Sequence, residues 1–199
     1  MRRLLLPALL AGLTAACQPQ REAPAYGPWA EGLTLAFEDP SLPQPERSQR
    51  RQQVRVSRSA LAPGAPKLVQ LEVASLSMPP APVLMRHEKG GIALLDGQGR
   101  VVAQPLPAGF PEVASWEAHG TAFRVVGRAL WEGAALLPPT YDPVGIWVEA
   151  RQAQGPPRRS LFLPNLGEVE TQELRQGAWV PVNRLVAMGF TDPPAHARP

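Results

Sequence analysis

The chain has one cysteine in 199 residues, Cys17. A lone thiol excludes an intrachain disulfide, a cysteine-based metal site and a c-type haem attachment. Lysine is nearly absent: Lys67 and Lys89 stand against eighteen arginines. Beyond the first 16 residues no apolar run approaches the ~20 that a spanning helix needs, which excludes a transmembrane helix in the rest of the chain. The formal charge of +3 falls to +1 without Arg2 and Arg3, so the high isoelectric point reflects arginine usage and no nucleic-acid partner is expected. Signatures of chemistry are missing as well. There is no Gly-x-Ser-x-Gly, phosphate loop, calcium loop or dinucleotide fingerprint, and the spacing of His87, His119 and His196 matches no metal motif, so neither cofactor nor metal is expected.

What is abundant is proline, with 25 residues spread along the chain. Proline lacks a backbone donor and breaks helix interiors, so long helices are excluded almost everywhere after the first segment, leaving short strands and loops.

The amino terminus carries the most specific signal. Arg2 and Arg3 precede an apolar stretch from Leu4 to Leu13, too short to span, which ends in Leu13-Thr14-Ala15-Ala16-Cys17. Small residues before a cysteine read as a lipoprotein cleavage site: residues 1–16 form a cleaved signal helix and the Cys17 thiol takes a diacylglyceryl anchor. The alternative is an ordinary signal peptide cut at Ala15-Ala16, which would leave a free thiol in an oxidising compartment. Residues 17–25 read as a lipidated tether, in which the eight residues Gln18 to Ala25 reach at most ~26 Å, residues 26–190 as one antiparallel β domain and residues 191–199 as a disordered tail. The lipid places the protein in the cell envelope, on the periplasmic or extracytoplasmic side.

The domain reads as all-β. Strands are predicted at Leu33–Phe37, Gln52–Arg58, Leu68–Leu76, Val83–His87, Ile92–Leu95, Arg100–Gln104, Thr121–Arg128, Trp131–Leu137, Val144–Arg151, Ser160–Leu163, Glu168–Leu174 and Ala178–Val186, with Asp96-Gly97-Gln98-Gly99 as the clearest hairpin turn. A weak helix is predicted near Pro111–His119, and 39–47 reads as a proline-rich loop. Most strands are apolar on one face only: Ile146, Val148 and Ala150 oppose Trp147, Glu149 and Arg151, and Val180 and Val182 oppose Trp179 and Asn183. That pattern predicts a curved antiparallel sheet, a half-barrel or sandwich, with one wet face.

Trp147 and Trp179 fall on the polar side. They mark either an outer surface that contacts an envelope protein or an aromatic pair across neighbouring strands. Phe123, Val125, Ile146 and Val148 fall on the inner side, where they would line a site for a lipid or other apolar ligand. Arg47, Arg50, Arg51, Arg55 and Arg58 crowd one region, as a contact for anionic lipid head groups or as a charged, solvated edge. Alternation puts Glu168 and Glu170 on one face, a little under ~7 Å apart. Such a pair is compatible with paired-carboxylate chemistry and equally with a solvated strand, and no catalytic residue is assigned.

Several short motifs occur in an order that resembles a group of bacterial lipoproteins and secreted proteins of unknown function. They are Tyr26-Gly-Pro28-Trp-Ala-Glu-Gly32 followed by Phe37; Gly90-Gly91-Ile92; Pro105-Leu106-Pro107-Ala108-Gly109 with Trp116; Thr140-Tyr141 with Val148-Glu149; and Leu163-Pro164-Asn165-Leu166-Gly167-Glu168-Val169-Glu170, closing on Arg184-Leu185-Val186. Pro138-Pro139 departs from that pattern, where a Pro-x-Gly turn is more usual. The resemblance extends to the curved antiparallel half-barrels of lipoprotein carriers, which implies an apolar cavity and lipid binding and carries over no catalytic residue. The expectation is a non-enzymatic, membrane-anchored envelope lipoprotein that holds a lipid or apolar ligand, or else an accessory protein that binds an envelope partner.

Overall fold

The computed structural model describes residues 26–60, 67–76 and 78–191. The predicted signal helix, Cys17, the tether, His196 and residues 192–199 lie outside the described residues. Thr191 is described, and its backbone N–H donates to the Gly32 carbonyl at 2.9 Å.

Twelve strands follow one another: β1 (Leu33–Glu38), β2 (Gln52–Ala60), β3 (Lys67–Ser75), β4 (Met78–Glu88), β5 (Gly91–Leu95), β6 (Val101–Leu106), β7 (Ser115–Ala118), β8 (Thr121–Leu130), β9 (Val144–Gln152), β10 (Arg158–Leu163), β11 (Gly167–Arg175) and β12 (Ala178–Phe190). Each pairs antiparallel with its neighbour in sequence except at one place. β6 and β7 are the two edges, and β1 pairs with β12, so the meander closes on itself into a nearly closed barrel whose seam lies between β6 and β7.

Antiparallel pairing places residues opposite each other on one face, so the lining can be followed around the wall. Leu35 faces Val54, Val54 faces Val73, Val69 faces Met85, and Met85 faces Leu94. On the other flank Trp116 faces Phe123, Phe123 faces Ala150, Val125 faces Val148 and Ile146 faces Phe162. Val56, Val69, Leu106, Phe110, Leu161, Leu163 and Val169 are at most 1% exposed. Each such side chain contributes about 1.5–3 kcal/mol by leaving water.

Because strands alternate in direction, the barrel has two ends. The chain enters at Tyr26 beside the start of β1, at the end that also holds the β4–β5, β6–β7, β8–β9 and β10–β11 connections. That end is plugged. Phe110, fully buried in the β6–β7 connection, meets Tyr26 edge-on at 4.8 Å and approaches Trp116 and Phe162 at 6.3 and 6.4 Å. The same connection bridges the seam, with Gly109 N–H donating to Lys89 and Val125 N–H donating to Ala114, both at 2.8 Å. The β10–β11 turn is tied to the entering chain, since Trp29 Nε1 donates to Asn165 Oδ1 at 2.7 Å. Gly167 adopts φ +84°, and a Cβ there would lie 2.9 Å from Pro28, so only glycine lets the turn approach so closely.

Three predicted elements are corrected. Trp131–Leu137 is no strand: Trp131 packs its indole over Gly133, which turns the chain back on itself into a short 3-10 helix, Ala134–Leu136. Pro111–His119 is no helix: it is loop followed by β7, whose Trp116 stacks on Phe123 at 5.1 Å. The proline-rich loop before β2 contains one helical turn, α1 (Glu46–Gln49).

Candidate functional site

Eight strands close a barrel that side chains just fill, whereas sixteen or more leave an open channel. Twelve strands fall between, and the interior retains space. An apolar chamber of about 330 Å³ is lined by Leu35, Phe37, Val54, Met85, Ile92, Leu94, Phe162 and Leu166, with Pro28 and Gly167 on the side of the plugged end. A second cavity of about 440 Å³ lies towards the other end and is polar, with Asp39, Arg50, Arg158, Thr171, Glu173 and Arg175 in its wall. Gln52, Glu168 and Asn183 line both, so the two volumes adjoin at a polar girdle.

Glu168 is the centre of that girdle. A β-bulge in the β10–β11 pairing sets Leu161 opposite Glu170 but Phe162 opposite Glu168. This shift breaks the predicted alternation, so Glu168 turns inward while Glu170 turns outward to accept a hydrogen bond from Arg184 at 2.9 Å. The expected face-sharing pair of carboxylates is therefore not formed. Glu168 is half-buried and lines both cavities. Thr171 Oγ1 donates to it at 2.5 Å, and Ser160 Oγ lies 3.2 Å from Thr171 Oγ1. Burial raises its pKa, against the lowering effect of hydrogen bonds from Thr171, Ser160 and Asn183.

At the mouth, Arg158 and Arg175 share one carboxylate, Glu173, at 2.6 and 2.7 Å. The hydrogen bond from Arg175 and then that from Arg158 hold Glu173 below the ordinary glutamate value. Asp39 is occupied by its own turn, accepting from Ser41 N–H and Oγ. Arg50 makes no ion pair among the described residues.

The residues singled out from sequence are distributed as follows. Phe123, Val125, Ile146 and Val148 all face inward. Val125 and Ile146 border a cavity of about 210 Å³ with Pro111 and Arg128, while Phe123 stacks on Trp116 and Val148 is 3% exposed. The larger apolar chamber lies on the other flank, and its lining was missed. The signal for it was the same alternation in β1 to β5, where Leu35, Phe37, Val54, Met85 and Leu94 occupy inward positions.

Trp147 and Trp179 lie on β9 and β12 with β10 and β11 between them, and the Arg159 guanidinium of β10 lies over both rings, 4.6 Å from each centroid. The predicted pairing across neighbouring strands is replaced by a cation between two indoles. Arg47 turns back to cap the carbonyls of Pro40 and Leu42. His87 is buried near the plugged end and His119 is exposed at the other, so these histidines do not converge. Among the described residues no group of three or more His, Cys, Asp or Glu is placed to hold a metal ion, and no helix is long and apolar enough to cross a membrane.

No family model matches the chain, and no curated protein matches it. Solved structures similar to it include a protein of Bacteroides fragilis NCTC 9343 described as exported and as having a YmcC-like fold; it is 10% identical, with a TM-score of 0.46 over 84% of this chain and all of that one. Another, from Parabacteroides distasonis ATCC 8503 and described as a lipoprotein, is 13% identical with a TM-score of 0.46 over 85% of this chain and all of that one. Likeness of this degree leaves function to be argued from the residues.

Proposed function

We propose that the protein is an envelope lipoprotein, tethered through Cys17, that holds a lipid or other apolar ligand inside its barrel without covalent chemistry. The observation that carries this reading is the apolar chamber between Leu35, Phe37, Val54, Met85 and Leu94. Its volume of about 330 Å³ falls in the ~300–1,000 Å³ range of small-ligand sites. A predominantly apolar wall with a few convergent polar groups at one side is the pattern such sites share. The anchor reading rests on the residues before Cys17; Tyr26, the first described residue, lies at the plugged end, opposite the polar one. Diacylation supplies the two chains that stable membrane attachment requires.

The test fills the chamber. Leu94→Trp places an indole in the cavity, and protein extracted from its own membrane should then carry far less co-purified lipid than the wild type while keeping its β-sheet circular dichroism. Equal lipid content in the two proteins would rule out the chamber as the binding site.

A further inference from the structure

The chamber accounts for an apolar chain but leaves unexplained the polar cavity that adjoins it. A site for a wholly apolar molecule has no use for a girdle of Gln52, Glu168 and Asn183, nor for three guanidiniums beyond it. Polar groups placed along a ligand's path cost free energy unless the ligand answers them. Two features give the answer a sign. Arg158 and Arg175 both lean on the single carboxylate of Glu173, so two positive charges share one negative one. Arg50 lines the same cavity without an ion pair among the described residues, and Asp39 accepts from Ser41 and pairs with no guanidinium among them. Beyond the girdle three guanidiniums thus face two carboxylates, and the wall keeps a positive excess.

Resting on the ligand-holding reading above, we propose that the occupant is a single-chain amphiphile with an anionic head, its chain in the apolar chamber and its carboxylate or phosphate among Arg50, Arg158 and Arg175. The girdle then meets the part of the ligand just below the head. Gln52 and Asn183 offer amides, which suit an ester or hydroxyl. Glu168 is engaged by the Thr171 hydroxyl, which leaves the two amides as the polar groups of the girdle that meet the ligand. Guanidinium forks favour carboxylate and phosphate equally, so the head chemistry is shared by fatty acids and lysophospholipids.

The test uses the full chain, lipidated and reconstituted into phosphatidylcholine vesicles. It is photolabelled with three diazirine probes of matched chain length: dodecanoate, lysophosphatidylglycerol and dodecanol. Labelled residues are mapped by tandem mass spectrometry. At least one anionic probe should label chamber residues such as Phe37, Val54 and Met85 about tenfold more than dodecanol does, the ratio that one charge-assisted hydrogen bond supports. The anionic probe that labels more strongly identifies the source. The doubly substituted Arg50→Gln/Arg175→Gln protein, altered only at exposed positions, should lose that preference while keeping weak labelling by dodecanol. Equal labelling by dodecanol, or an anionic preference that survives the double substitution, overturns the anionic head while leaving a ligand-holding barrel. An unlabelled chamber with every probe overturns the holding reading itself.

Discussion

Glu168 sets how the interior responds to pH. Its folded pKa lies above the usual value of 4.5, so binding a proton there favours the folded state. That contribution is complete below pH 4.5 and is lost as pH rises through the elevated folded value. Glu149 behaves oppositely. Burial alone would raise its pKa, but hydrogen bonds from Arg151 at 2.6 Å and Arg124 at 3.1 Å bring it below the usual value. Its contribution is present above 4.5 and is lost as pH falls through the depressed value. Glu168→Gln should therefore melt higher than wild type near about pH 8, with the difference shrinking towards about pH 4. Thermal melts across that range check it, and a difference that is constant or grows on acidification contradicts the assignment. Arg159 is the second telling residue. Replacing it with alanine removes the cation shared by Trp147 and Trp179 and should cost about 1–2 kcal/mol, with tryptophan emission shifting to the red as the rings meet water. An unchanged spectrum would show that the stacking is unimportant. Neither residue's role was legible in sequence. Glu168 looked like one of two carboxylates on a wet strand because a bulge leaves no mark in the pattern of residue types, and Arg159 looked like one arginine among eighteen.

At the scale of elements, period-two alternation located eleven of the twelve strands, because a half-buried sheet forces it. It failed at Trp131–Leu137 and Pro111–His119. In the first, Gly133 lets an indole fold over its own backbone, so an apolar run becomes a turn whose flanking Trp131 and Leu137 pack into the main core. In the second, Trp116 is fixed by a stacking partner on the next strand, a tertiary contact that outweighs local helix propensity. The β6–β7 connection is the element on which closure depends, because no strand pairing spans the seam and Phe110 fills the end beneath it. Phe110→Ala should cost about 3–5 kcal/mol, as truncation of a fully buried phenylalanine does. Hydrogen exchange should quicken first in β6 and β7, the two edge strands. Quickening confined to other strands would show that Phe110 does not hold the seam.

For the whole molecule, the sequence predicted a curved antiparallel sheet but not how far it wraps. Closure depends on β1 meeting β12, two segments from opposite ends of the domain whose complementarity no local pattern records. From that closure follow a lumen, an end plugged by Tyr26 and Phe110, and an open polar end. The predicted ligand-lining residues fell on the inner face yet beside a smaller cavity, since alternation tells inside from outside and says nothing of where the interior is left unfilled. The anchor proposed at Cys17 and the ligand proposed for the chamber combine into one testable claim, that an acylated protein carries a second, non-covalent lipid. Native mass spectrometry of protein extracted from its own membrane tests it most directly. The account predicts a mature chain beginning at an acylated Cys17, with one retained amphiphile that dissociates on activation, and release of Cys17→Ala from the membrane fraction. An unmodified cysteine together with an empty barrel would contradict it.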